Sequence, residues 1–244
     1  MIAPGEGEVV GDSADRRVEI LSDHDALHAT WSRFGPHREG AELHVHHRHT
    51  DLFFVLAGEL TIRLGTRGHE VPAPAGTLVR VPPGVVHGFR NGGDAELCYL
   101  NLHAPGRGFA DYMRAMCDGR ALSYDQHDPP ADGGRPDTEA VIGEPHADVE
   151  DIAVALCRSE PAAAPPPRSA GPLASFYVLD GELAVTAGGR ELRAPAGAWV
   201  QVPEGAAHAV AAAGPEPARY LELLTPRASG RAERPDAHPR SRRP

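Results

Sequence analysis

Cysteine is scarce in this chain: Cys98, Cys117 and Cys157 are the only three among 244 residues, and no two are spaced Cys-x-x-Cys. An odd, scattered set excludes a disulfide framework and a thiolate metal knuckle, and it suits reduced thiols in a cytoplasm. Long apolar runs are missing as well. Nothing approaches the roughly 18 consecutive apolar residues of a membrane helix. The start, Met1-Ile-Ala-Pro-Gly-Glu-Gly-Glu, is acidic with no apolar segment behind it, so neither a span nor a secretory leader is expected. Positive charge is in deficit: the formal net charge of −10 argues against nucleic acid as a partner. Aromatic residues make up 5%, whereas 27 Gly and 24 Pro punctuate the chain, a balance that favours short strands and turns.

Histidine, by contrast, is concentrated. Gly40-Ala-Glu-Leu-His44-Val-His46-His47-Arg48-His49-Thr50-Asp51 is followed by an apolar run, Leu52 to Leu56, that ends at Gly58. Residues two apart on a strand share a face, so His44 and His46 can aim two imidazoles at one point. Asp51 heads the next strand, and a carboxylate there can close on the same point. A second segment, Gly76-Thr-Leu-Val-Arg-Val-Pro82-Pro83-Gly84-Val-Val-His87-Gly-Phe-Arg-Asn91, has a Pro-Pro-Gly turn after an alternating strand, and His87 opens the strand that follows. The four side chains look like a metal site. Pairing His47 with His49 instead leaves only Thr50 before Asp51, too few residues to turn between antiparallel strands, so His44 and His46 are the preferred pair.

Both segments, in order and at full spacing, resemble the two motifs of the cupin superfamily. His44, His46, Asp51 and Gly58 match the first; Gly76, Pro82, Gly84, His87 and Asn91 match the second. The resemblance implies that His44, His46, Asp51 and His87 ligate one divalent transition metal. The family usually has Glu where this chain has Asp51. The side chain is shorter by one carbon–carbon bond, roughly 1.5 Å, which leaves open whether Asp51 binds the metal directly or lies behind three histidines.

The chain also repeats itself. Val55-Leu-Ala-Gly58-Glu-Leu-Thr-Ile62 recurs as Val178-Leu-Asp-Gly181-Glu-Leu-Ala-Val185, and Pro74-Ala-Gly76 through His87 recurs as Pro195-Ala-Gly197 through His208. Duplication of one small β unit follows. The expected fold class is all-β: two cupin barrels (double-stranded β-helix, jelly-roll-like) in one chain with a short helical connection, a bicupin. The expected domains are a flexible N-terminus (1–17), a metal-bearing barrel (18–105), a helix and linker (106–147), a degenerate barrel (148–225) and a disordered tail (226–244). From Arg227 onward that tail carries six Arg against Glu233 and Asp236, a charge of +4 set against −14 for the rest. In the second copy the ligand positions hold Pro167, Ser169 and Ala174, Ala212 replaces Asn91, and His208 reads as a core histidine. The second barrel is then expected to act as a covalent partner covering apolar surface of the first, in a monomer or a homodimer.

Between the barrels Phe109, Tyr112, Met113 and Met116 fall at helical spacing and read as packing, and 125–136 reads as an exposed loop. Near the expected metal, Phe53 and Phe89 lie two residues from Asp51 and His87 and are assigned to a substrate pocket. Three imidazoles and a carboxylate suit Fe(II) as the first choice and also Mn, Ni, Co, Cu or Zn. The leading functional expectation resembles quercetinase-type bicupin dioxygenases acting on an enolisable or phenolic small molecule with dioxygen, Asp51 serving as general base. A non-redox isomerase, lyase or polyketide cyclase is the alternative enzyme, and a small-molecule binder without turnover is the third reading.

Overall fold

The computed structural model describes residues 1–161, 168 and 171–225. The proposed tail and the positions of Pro167 and Ser169 lie outside the described residues. The first half contains β1 (Glu8–Ser13), β2 (Arg16–His24), β3 (Leu27–Phe34), β4 (Thr50–Ala57), β5 (Glu59–Leu64), β6 (His69–Pro74), β7 (Leu78–Val81), β8 (His87–Arg90) and β9 (Leu97–Ala104). Then come the helix α1 (Phe109–Cys117) and β10 (Val141–Gly143). The second half contains β11 (His146–Asp148), β12 (Ala153–Ser159), β13 (Leu173–Asp180), β14 (Glu182–Ala187), β15 (Arg190–Pro195), β16 (Trp199–Val202), β17 (His208–Ala212) and β18 (Ala218–Thr225). Among the described residues no helix is long and apolar enough to cross a membrane.

Each half is a large sheet facing a small one. In the first, the order β1-β2-β3-β9-β4-β7-β10 faces β6-β5-β8; in the second, β11-β12-β18-β13-β16 faces β15-β14-β17. The repeat reaches down to register: Glu59 pairs with Pro74 and Leu64 with His69 in one hairpin, Glu182 with Pro195 and Ala187 with Arg190 in the other. The glycine before each hairpin explains why it recurs. Gly58 and Gly181 have φ of 75° and 74°, and a Cβ there would sit 2.4 Å and 2.6 Å from the carbonyl oxygens of Glu96 and Pro217.

Strand β4 shows how one sequence serves two cores. Phe53 and Val55 turn into the first barrel, while Leu52 and Phe54 turn out toward the second. A strand buried on both faces reads as an unbroken apolar run, as this one does. Leu52, Phe54, Leu100 and Leu102 meet Ile152, Tyr177, Leu221 and Leu223 in one buried cluster that joins the barrels. At roughly 1.5–3 kcal/mol for each large side chain buried, this shared cluster makes the two barrels one body. The second barrel therefore does cover apolar surface of the first.

The stretch expected to be a flexible N-terminus carries β1, which pairs with β2, and Ile2 exchanges backbone hydrogen bonds with Trp199 of the second barrel at 2.9 and 3.0 Å. The sequence carries little signal for this strand because β1 holds one buried residue, Val10, among more exposed neighbours. At the other end, β10 extends the first sheet along β7. The first barrel's sheet thus runs from Glu8 to Gly143, beyond the 18–105 expected.

Candidate metal centre

His44 lies in an irregular segment that bridges to the start of β8: His44 N–H donates to the His87 carbonyl at 2.8 Å, and His87 N–H donates back at 2.9 Å. This reciprocal pair joins the two motif segments. His46 follows on the same side, its carbonyl accepting Gly84 N–H at 2.6 Å, so the Pro-Pro-Gly turn seats it. Asp51 enters from β4, opposite His103 of β9. All four predicted ligands are buried, and their ligand atoms lie within 4.8 Å of one another.

The tautomers follow from the hydrogen bonds. His44 Nδ1–H donates to the Glu42 carbonyl at 2.7 Å, His87 Nδ1–H to Val85 at 3.0 Å and His46 Nδ1–H to Asp125. A carbonyl oxygen accepts only, so each Nδ1 holds the proton and each Nε2 presents a lone pair inward. His44 and His46 Nε2 stand 3.1 Å apart, and His87 Nε2 is 3.1 Å from Asp51 Oδ2. Converging lone pairs at such distances need positive charge between them. Protons are a poor source: burial, with the neighbouring His87, pushes His44 down to about 4, and burial with His49 and His103 pushes His46 lower still. Burial alone raises the Asp51 carboxyl, but His103 beside it outweighs burial and holds Asp51 well below the carboxylate range. Neutral imidazoles and an ionised carboxylate are the ligating forms, so the residues fit a divalent cation. The shorter aspartate is no obstacle, since its Oδ2 reaches the histidine nitrogens.

Behind these four side chains is a layer that the sequence does not announce. Asn101 donates to Asp51 Oδ1 at 2.6 Å, and His103 Nε2 lies 3.3 Å from the same oxygen. His46, His49 and His103 form a second buried group whose ligand atoms approach within 4.8 Å. His49 Nδ1 is 3.3 Å from Asp125 Oδ2, and its Nε2 is buried without a partner. Asp125, expected in an exposed loop, instead curls back: its carboxylate accepts N–H of His47 at 3.1 Å and of Arg48 at 2.7 Å. Parity could have exposed His49, which shares the inward face of Asp51. In β9, Tyr99, Asn101 and His103 alternate with Leu100 and Leu102, a polar-in, apolar-out pattern. No sequence signal links Asp125 to His46 across 79 positions.

A cavity of about 380 Å³ opens beside the site, bounded by His44, His46, Asp51, Asn101 and His103 at its inner end and by Phe89 on one wall. Phe53 does not line it. Its ring is fully buried beneath Phe89, 4.9 Å between centroids, so it supports the wall from behind. The helical stripe expected to be packing has two duties: Phe109 and Met113 are core residues, and with Tyr112 and Met116 they also line the cavity. In the second barrel His208 is buried, its Nδ1 3.3 Å from the Ala206 carbonyl, and no metal-ligand group among the described residues contains it. Ala174 and Ala212 fill the neighbouring space as core.

Comparison with known proteins agrees with this geometry. The cupin domain model matches residues 30–103 and 156–224, and the chain belongs to the cupin family. Over 92 residues it is 30% identical to a quercetin 2,3-dioxygenase of Bacillus subtilis, a match covering 37% of this chain and 27% of that enzyme. It is 34% identical over 106 residues to urease subunit beta of a Mycobacterium species, covering 42% of this chain and 88% of that subunit. The solved structure of AerE from Microcystis aeruginosa superposes with a TM-score of 0.64 at 13% identity, covering 91% of this chain and 97% of that one. The chain therefore spans about a quarter of the length of the dioxygenase it matches.

Proposed function

We propose that this bicupin is a metal-dependent enzyme acting on an enolisable or phenolic small molecule, with dioxygenase-type oxidation as the leading chemistry. The observation that carries the reading is the convergence of three Nε2 lone pairs and one carboxylate in a buried site beside an open cavity. His44, His46, Asp51 and His87 would hold a divalent metal, which would supply Lewis acidity and, if redox-active, electron transfer to dioxygen. The likeness to a quercetin 2,3-dioxygenase supports the oxidative form.

The chain's own residues divide the remaining work. Backbone carbonyls of Glu42, Val85 and Asp125 fix the three rings, and Asn101 and His103 fix Asp51. Asp51 serves as a ligand. A carboxyl held so far below its ordinary range is a weak base, so the general-base role expected for it is not part of this proposal. Phe89 and the α1 side chains exclude water from one side of the cavity.

The test is elemental analysis of the purified protein and its His87→Ala and His208→Ala variants, with oxygen uptake recorded against diketones, flavonols and phenols. About one equivalent of metal in wild type and His208→Ala, none in His87→Ala, and substrate-dependent uptake are expected. Turnover that proceeds without oxygen would replace the oxidative chemistry by an isomerase or cyclase, and full metal occupancy in His87→Ala would defeat the site.

A further inference from the structure

The far end of the cavity is positively charged. Arg16 lies on the face of β2 that carries Val18, lines the cavity, and has no carboxylate partner among the described residues. Arg38 lines the same end. Its Nη1 pairs with Asp15 at 2.9 Å, but its Nε is buried and has no partner. The nearby carboxylate of Glu39 is directed to Arg63, 3.8 Å away. Two arginines therefore stand at this end of the cavity, Arg16 with no carboxylate against it and Arg38 held by Asp15 alone, in a chain of net charge −10.

The ladder gives the distance between this end and the metal centre. Arg16 pairs with Phe34, Phe34 with Leu97, and Leu97 lies six residues along β9 from His103, which pairs with Asp51. Six residues at about 3.3 Å each span roughly 20 Å. An arginine side chain recovers about a third of that and the ligand side chains some more, leaving a gap of roughly 10 Å between cation and metal centre. Val10, Val18, Phe34 and Phe89 flank the middle, with Ser32 and Tyr99 beside Val18 on β3 and β9.

From this arrangement we infer that the substrate is an elongated organic carboxylate: a chelating enol, phenol or carbonyl oxygen at the metal end, an apolar middle, and a carboxylate received by Arg16 and Arg38. A two- or three-carbon diacid is too short to touch both ends. The inference rests on the metal reading above and names the substrate class of that site. Arg16 and Arg38 are specificity determinants here, positioned to select for charge and length.

The probe is 3-(3,4-dihydroxyphenyl)propanoate, whose catechol oxygens chelate and whose carboxylate lies at the opposite end, compared with its methyl ester. Binding of both to zinc-loaded protein is followed by calorimetry, with zinc content measured on each sample. The acid should bind at least roughly tenfold tighter than the ester. That preference should shrink in Arg16→Gln, vanish in Arg16→Gln/Arg38→Gln, and fall in wild type as sodium chloride is raised, whereas ester binding stays level. Zinc-loaded protein that binds acid and ester alike, binds neither, or keeps its preference in the double variant and at high salt overturns the inference alone. Protein that takes up no zinc defeats the metal reading and this inference together.

Discussion

Replacing Asp51 by asparagine separates the two demands on the site, ligation and internal packing, with almost no change of shape. Asn101 Nδ2 donates to Oδ1 at 2.6 Å, so the new amide must present its carbonyl oxygen there. Its NH2 group then points at His87 Nε2, 3.1 Å from the present Oδ2, and donates to the lone pair that the metal would otherwise use. The loss of charge from the bonds with Asn101 and His103 costs about 2 kcal/mol together, and the new hydrogen bond returns about 1 kcal/mol. Metal-free Asp51→Asn should therefore melt within about 4 °C of metal-free wild type. With metal at a hundredfold excess over its Kd, wild type gains about 2.7 kcal/mol, equivalent to roughly 5–10 °C for a chain of this size. The variant should gain almost nothing. The assay is a thermal melt of each protein with EDTA and with metal. A variant that melts far below wild type in EDTA refutes the hydrogen-bond reasoning; one stabilised by metal as much as wild type refutes Asp51 as a ligand.

Metal-free protein should lose stability as pH falls from about 6.5 toward 4. Burial, first among the causes, holds folded His44 and His49 near 4, so over that window the unfolded chain takes up protons the folded chain refuses. Each contributes about 3 kcal/mol at most, and denaturant midpoints that do not move between pH 7 and pH 5 would exclude it. Asp125→Ala removes the acceptor of the His47 and Arg48 N–H groups and loosens the carbonyl that holds His46; metal Kd, from competition with a chelator, should rise roughly 10–100-fold. An unchanged Kd would mean the loop is a bystander. Phe54→Ala opens a hole in the cluster between the barrels and should cost about 3–5 kcal/mol in urea denaturation with metal stoichiometry kept; a loss below 1 kcal/mol would show that the interface is not well packed.

His44, His46 and His87 were legible because strand period and a turn signal are local, and the duplicated Gly-Glu hairpins were legible because the same steric need at Gly58 and Gly181 demands the same residue. Pairing across strands was not. That His103 lies opposite Asp51 depends on how β4 and β9 align, which neither strand states alone. Parity sent Phe53 to the correct face and misjudged its depth, since Phe89 lies between it and the cavity. β1 was hidden by its own exposure, and Asp125 by its separation from His46 along the chain.

The segment after α1 turns the question of where this barrel stops into one about modularity. Asp125 holds His46 and the backbone beside it, Tyr124 lies 3.1 Å from His103 Nδ1, and Val45 and His127 exchange backbone hydrogen bonds at 3.0 Å. An excised domain ending at Pro105 retains all four candidate ligands and lacks the clasp that orients them. A graft of this centre has accordingly to carry the stretch through Gly143 and, since Leu52, Phe54, Leu100 and Leu102 are covered by the second barrel, that barrel as well. During synthesis, too, the four candidate ligands emerge well before the clasp, so the arrangement that would fit a metal is the last thing the first half of the chain completes.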